Sequence, residues 1–205
     1  ALLVSIALKP PHLHLPLTHL SIAAALAARA AVSACAPELA AQLAFKWPND
    51  LLLGPTPEQA GKLGGILIQT ALSAQGSVGY AVAGIGLNAN QRADQLPAVA
   101  PPAPPPTSLR IAQGAPVDRT ALLIALCQAF AAALETPPHQ LLTAWRDRLS
   151  TLGRRVALYA RPDDLAPVLI GQAVDVDADG ALLLQDDQGR RHTVHAGELA
   201  LRPAE

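Results

Sequence analysis

The sequence predicts an α+β fold in which a mixed sheet backed by helices is followed by a small β-barrel or sandwich. Three observations carry this. Alternating apolar stretches around Leu2–Leu8, Phe45–Leu53, Lys62–Ile68 and Val78–Leu87 have the period of strands. Between and after them lie long Ala- and Leu-rich stretches whose apolar residues suit helices laid against a sheet. From Leu152 the character changes to short strands separated by Asp- and Gly-containing turns. The domain boundary therefore falls near residue 151, giving units 1–151 and 152–205.

In order, Leu2–Lys9 reads as a strand that begins at the first residue. After Pro10–Pro16 a helix is expected over about 18–36, with Thr18 or Ser21 as N-cap and Pro37 just beyond its end. Next come Phe45-Lys46-Trp47-Pro48-Asn49-Asp50, Leu51-Leu52-Leu53, a Gly/Pro/Thr turn over 54–61, and Lys62-Leu63-Gly64-Gly65-Ile66-Leu67. Gln75-Gly76-Ser77 is a turn into the strand Val78–Leu87. Leu96–Pro106 holds six prolines and no periodicity, which makes it an extended surface loop. Asp118 caps an amphipathic helix to about Glu135, and 137–149 forms another with Trp145 on its apolar side. The last strands are Val156–Tyr159, Val168–Val176, Ala181–Gln185 and His192–His195, with turns at 177–180 and 186–189.

Composition narrows the function. Lys+Arg 15 against Asp+Glu 16 leaves no basic excess for nucleic acid or a membrane surface. With 51% hydrophobic and 3% aromatic residues, the core must be Leu, Val, Ile and Ala. The apolar stretch 20–36 is interrupted by Arg29, so no membrane span is expected. Cys35 and Cys127 sit in helical patterns without a CxxC, and His12 and His14 alternate at a strand exit without a third ligand, so no metal centre is expected. No signal peptide is visible, and the cytoplasm is the default location.

The informative stretch is the pair of lysine motifs. Pro48 lacks an N–H and biases Trp47 towards extended backbone, so Lys46 is presented from a strand end. By alternation Lys62, Gly64 and Ile66 are expected on one face, a lysine over bare backbone. The chain has three lysines against twelve arginines, yet two of the three are Lys46 and Lys62. A compact ammonium aimed at one oxygen is what lysine offers and arginine does not. Gly84, Gly86 and Asn88 at i, i+2 and i+4 leave a second bare face ending in an amide. Either a ligand approaches there or the strand bulges or packs closely.

Together, Lys46-Trp47-Pro48-Asn49-Asp50, Lys62-Leu63-Gly64-Gly65-Ile66-Leu67-Ile68, Gly84-Ile85-Gly86-Leu87-Asn88 and Thr107-Ser108-Leu109 resemble the biotin–protein ligase family. The tail, with Gly180-Ala181-Leu182 and Gly197-Glu198-Leu199-Ala200-Leu201-Arg202, resembles that family's SH3-like C-terminal domain. The resemblance implies a class II synthetase-like catalytic domain and a two-step reaction. Biotin and MgATP form biotinyl-5′-adenylate, and the acyl group passes to a lysine of a biotin carboxyl carrier protein of acetyl-CoA carboxylase. It implies Lys62 as the catalytic ammonium, with Gly64, Gly65 and Trp47 beside the biotin. Lys46, Asn49, Gly86 and Asn88 are implied on the ATP, and Asp50 on Mg²⁺ or on a basic partner. The family's Gly-Arg-rich loop and the Ser/Thr-rich stretch before it have no counterpart here, since Ala1 aligns just after that loop. The resemblance therefore leads one to expect an incomplete catalytic domain and little stable adenylate from these 205 residues. Gln69 stands where the family commonly has glutamate, and no helix-turn-helix for DNA is present. A homodimer through the sheet is compatible with the resemblance. The other readings are a fragment that binds nucleotide or partner without catalysis, and a related lipoate-type ligase.

Overall fold

The computed structural model describes residues 1–10, 13, 15–72, 78–101, 103–160, 164–195 and 200–203. The expected turn at Gln75-Gly76-Ser77, the pair His12 and His14, and Gly197-Glu198-Leu199 lie outside the described residues. A five-stranded sheet is built from β1 (Leu2–Leu8), β2 (Leu43–Lys46), β3 (Asp50–Leu53), β4 (Gly61–Leu72) and β5 (Val78–Leu87). Its spatial order is β1-β5-β4-β3-β2. The expected α+β class holds, but every strand pair in this sheet is antiparallel, and among the described residues parallel pairing is confined to isolated bridges at Phe45–Leu149 and Lys62–Pro106. From β2 to β5 the antiparallel order follows from the short connections of a meander, while β1 adds to its edge against β5.

One face of the sheet is covered by α1 (Leu17–Cys35), which buries His19, Leu20, Ile22, Ala23, Ala24, Ala25, Ala27, Ala28, Ala31 and Val32. The alanines let the helix lie close to the strands. Against α1 lean α3 (Arg119–Leu134) and α4 (Pro138–Arg146), while α2 (Leu109–Gln113) is a short turn capped by the buried Ser108. Neither Thr18 nor Ser21 caps α1; the N-cap is Pro16, whose φ of −54° already has the value the first turn needs. By length and composition α1 could span a membrane, contrary to the reading of its sequence, yet here it is a core helix. In α3 Asp118 accepts from the Thr120 and Ala121 amides as expected, but the helix is less amphipathic than expected: Ile124 and Cys127 are exposed on its outer side.

The second sheet, ordered β10-β6-β7-β8-β9, comprises β6 (Arg155–Tyr159), β7 (Leu169–Val176), β8 (Leu182–Gln185), β9 (Arg191–Val194) and β10 (Ala200–Pro203). Its hairpin turns fall where Asp and Gly were read as turns, and Asp177 and Asp186 accept backbone N–H groups within them. Strand β10, which sequence alternation had not revealed, pairs with β6. Among the described residues no pairing joins β9 to β10, so this sheet is open rather than a closed barrel.

The two sheets are tied through one turn. Phe45 N–H donates to the Arg148 carbonyl at 2.9 Å, and Ser150 N–H to the Phe45 carbonyl at 2.8 Å. Trp47, 1% exposed, donates its amide to Thr151 Oγ1 at 3.0 Å and its indole Nε1–H to the Gly180 carbonyl at 3.1 Å. Gly180 has φ of +79°, which favours glycine in the β7–β8 turn, and a Cβ there would meet Ile22 Cδ1 at 3.3 Å, a contact that asks the isoleucine tip to give slightly. Trp47→Phe removes the indole donor and ring volume from this joint. It is expected to cost about 1–3 kcal/mol, read as a Tm several degrees lower in thermal unfolding; an unchanged Tm would mean the joint bears no load.

Candidate active site

The site begins with a bulge. Along β3 and β4, Leu51 faces Gly64 but Leu52 faces Lys62, so Leu63 is an extra residue on β4. The expectation that Lys62, Gly64 and Ile66 share one face is therefore corrected. After the bulge the alternation has changed phase, and Gly64 and Ile66 turn to the buried side while Gly65 and Leu67 turn to the open side with Lys62. A Cβ on Gly64 would lie 2.1 Å from the Gly86 carbonyl oxygen, so its bareness serves strand packing. A Cβ on Gly65 would point at Asp50 Oδ1 (3.5 Å) and Lys62 Cε (3.8 Å).

Lys62 leaves β4 half-exposed, passes over Gly65, and pairs with Asp50 through Nζ–Oδ1 at 2.6 Å. The backbone beneath it is held on both sides: Lys62 N–H donates to the Pro105 carbonyl at 2.8 Å, and Thr107 N–H to the Lys62 carbonyl at 2.9 Å. Asp50 opens β3 directly opposite Lys46, the last residue of β2. Burial pulls the Lys46 ammonium below the ordinary lysine value; Asp50 opposes that shift and Lys62 adds to it. Two ammonium groups thus lie in the field of one carboxylate, which pairs with Lys62, and leave a local excess of positive charge at the rim of a glycine floor. The floor continues across the register, since Gly65 faces Gly86 and Leu67 faces Gly84. Its flanks are Leu3, 80% exposed, and Leu67, 59% exposed. Neither leucine was a candidate from sequence, because their place beside the glycines depends on strand register.

Among the sequence candidates the structure therefore gathers Lys46, Asp50, Lys62, Gly65 and Gly86. Asn49 is spent on the backbone, donating Nδ2 to the Ile66 carbonyl at 2.8 Å while its own carbonyl accepts from Ile66 N–H at 2.9 Å. Asn88 is similarly anchored: its N–H donates to the Leu63 carbonyl at 2.8 Å, and its Oδ1 accepts from Gln91 Nε2 at 3.0 Å. Trp47 is buried and lines a cavity of about 390 Å³ beside Thr18, Ile68 and Gly180, which Leu67 also borders. For Mg²⁺, no cluster of three His, Cys, Asp or Glu side chains exists among the described residues. Asp50 is the carboxylate at hand, which fits an ion held chiefly by substrate phosphates with one protein ligand.

The chain matches the profile of the Biotin/lipoate A/B protein ligase family over residues 1–88, and that of the Biotin protein ligase C terminal domain over 151–202. It is 36% identical over 192 residues to a biotin–[acetyl-CoA-carboxylase] ligase of Paracoccus denitrificans, covering 91% of this chain and 75% of that one. It is 31% identical to the ligase of the same name from Mycobacterium tuberculosis, covering 88% of this chain and 61% of the relative. Its fold superposes on the biotin protein ligase of Aquifex aeolicus in complex with biotin and ATP, with a TM-score of 0.74 at 22% identity, over 98% of this chain and 78% of the other. Lysine pair, glycine floor and sequence likeness converge: the chain belongs to the Biotin/lipoate A/B protein ligase family.

Proposed function

We propose that the chain is a biotin–protein ligase, using ATP to activate biotin and passing it to a lysine of a carboxyl carrier protein. The observation that carries this reading is the Lys62–Asp50 pair set over the Gly65–Gly86 floor. A flat bicyclic acid needs a surface without side chains, and its carboxylate needs a cation at the end of that surface. In the first step a carboxylate oxygen of biotin attacks the α-phosphorus of ATP, and the bond to the β-phosphate oxygen breaks. Two anions must approach each other, and negative charge grows on the α-phosphate. The Lys62 ammonium, held by Asp50, meets both and stabilises what develops between them. In the second step the carrier amine attacks the acyl carbon and AMP leaves, with the same ammonium on the departing phosphate. Magnesium, when bound with the nucleotide, neutralises phosphate charge, with Asp50 the side chain to hold it. A reaction that consumes ATP fits the cytoplasm.

Lys62→Ala is expected to lower biotin-dependent adenylate formation by at least 10²–10³-fold with an unchanged Tm, because the side chain is half-exposed. Normal turnover would reject the assignment. Lys62→Arg should rescue poorly, since a planar fork does not reproduce a point ammonium.

Lys46 yields a test in which stability and activity part. Its folded pKa lies below the ordinary value because of burial. The unfolded chain thus holds that proton more tightly, and a charged Lys46 costs stability at neutral pH. The cost fades as pH rises through the folded pKa towards the unfolded one. Lys46→Met is expected to show a neutral-pH Tm equal to the parent's or up to about 3 °C above it, the difference shrinking at alkaline pH. Adenylate formation should fall. A clear loss of neutral-pH stability with full activity would contradict this.

A further inference from the structure

Beside the lysine pair lies a second cavity of about 250 Å³ that none of the roles above uses. Its walls come from both sheets: Lys46 and Leu52 on one side, Arg154 and Arg155 on the other, with Glu58 and Pro105 closing it. A water occupies about 30 Å³ in the liquid, so the space suits several waters or one small polyanion. Lys46, Arg154 and Arg155 are the cations of its lining and Glu58 the carboxylate, among walls otherwise largely of Pro, Ala, Leu and Val. Arg155 is committed outward, its Nη1 and Nη2 donating to Asp187 at 2.7 and 2.9 Å. Arg154 is aimed by Nε donating to the Ser150 carbonyl at 2.8 Å, and its Nη2 is covered by Glu58. The Lys46 side chain forms no ion pair or hydrogen bond among the described residues, although it is half-buried. The cavity borders the site through Lys46, which stands in its wall and lies directly opposite Asp50 on the neighbouring strand.

We infer that this cavity receives the pyrophosphate released on adenylation, with Lys46 and Arg154 as its binding groups and Glu58 as the carboxylate that occupies Arg154 until a phosphate displaces it. The inference rests on the ligase reading for the identity of the anion. When the bond between the α-phosphorus and the bridging oxygen breaks, the electron pair stays on that oxygen and a free pyrophosphate must leave past Lys46. A guanidinium takes two phosphate oxygens side by side, and exchanging Glu58 for phosphate keeps its hydrogen bonds filled. Arg154 belongs to the segment leading into the second sheet, so that sheet gains a direct hand in the first step.

The test is titration of the whole chain with inorganic pyrophosphate, followed by calorimetry, for the parent, Arg154→Gln, Arg154→Lys and Glu58→Gln, each checked for an unchanged Tm. Arg154→Gln should weaken binding at least tenfold, Arg154→Lys less, and Glu58→Gln should tighten it about threefold or more; orthophosphate should bind the parent far more weakly. Absence of pyrophosphate binding, or equal binding by the parent and Arg154→Gln, overturns the inference. Biotin and ATP are supplied in a separate assay for adenylate. Adenylate formation together with Arg154-independent pyrophosphate binding sinks the cavity alone. Arg154-dependent pyrophosphate binding by a chain that binds neither biotin nor ATP keeps the anion cavity and sinks the ligase reading.

Discussion

The structure depends on how closely β4 and β5 approach at one point. Gly64 lies so near the Gly86 carbonyl that no side chain fits between them. The bulge at Leu63 puts that contact in register with Leu51 and Leu87 on the buried side. One residue later, Gly65 faces the opposite way and becomes floor. Two adjacent glycines therefore meet two different demands, packing and access. The same bulge brings Lys62 onto the floor's side, where Asp50 can reach it. If Leu63 took a regular place in the alternation instead of bulging, the lysine and Gly65 would point to opposite faces.

What holds Asp50 and Lys46 in place is largely remote in sequence. Their turn is pinned by Trp47, whose partners Thr151 and Gly180 are 104 and 133 positions away. The second sheet is thus part of the scaffold of the charged cluster. The cluster itself is not arranged for stability. Two ammonium groups lie in the field of one carboxylate that pairs with only one of them, and the other is drawn below its ordinary pKa by burial. Such an arrangement becomes favourable once a polyanion enters, which is the bias expected of a binding site.

The legible parts of this chain were those governed by local chemistry. Asp118 capped its helix, Asp177 and Asp186 closed their turns, and Pro48 left Lys46 at a strand end, all from neighbouring residues alone. The face of Lys62 was misread because a bulge is set by the partner strand's register, and strict alternation cannot see it. The burial of Trp47 was not legible either, because its partners Thr151 and Gly180 lie more than a hundred residues on. Strand β10, short and ending in proline, shows no alternation of its own and exists through pairing with β6. The Arg154–Glu58 contact likewise joins residues 96 positions apart, and neither side chain stood out in the sequence.

The division of labour between the two glycines is tested most directly by thermal unfolding of Gly64→Ala beside Gly65→Ala. At Gly64 the new methyl would meet backbone at 2.1 Å, so β4 and β5 must separate; the account predicts a Tm loss of at least about 10 °C, equivalent to several kcal/mol. At Gly65 the nearest atoms stand at 3.5 Å or more, an ordinary contact, and the Tm should stay within about 3 °C of the parent. The reverse order, or two equal losses, would contradict it.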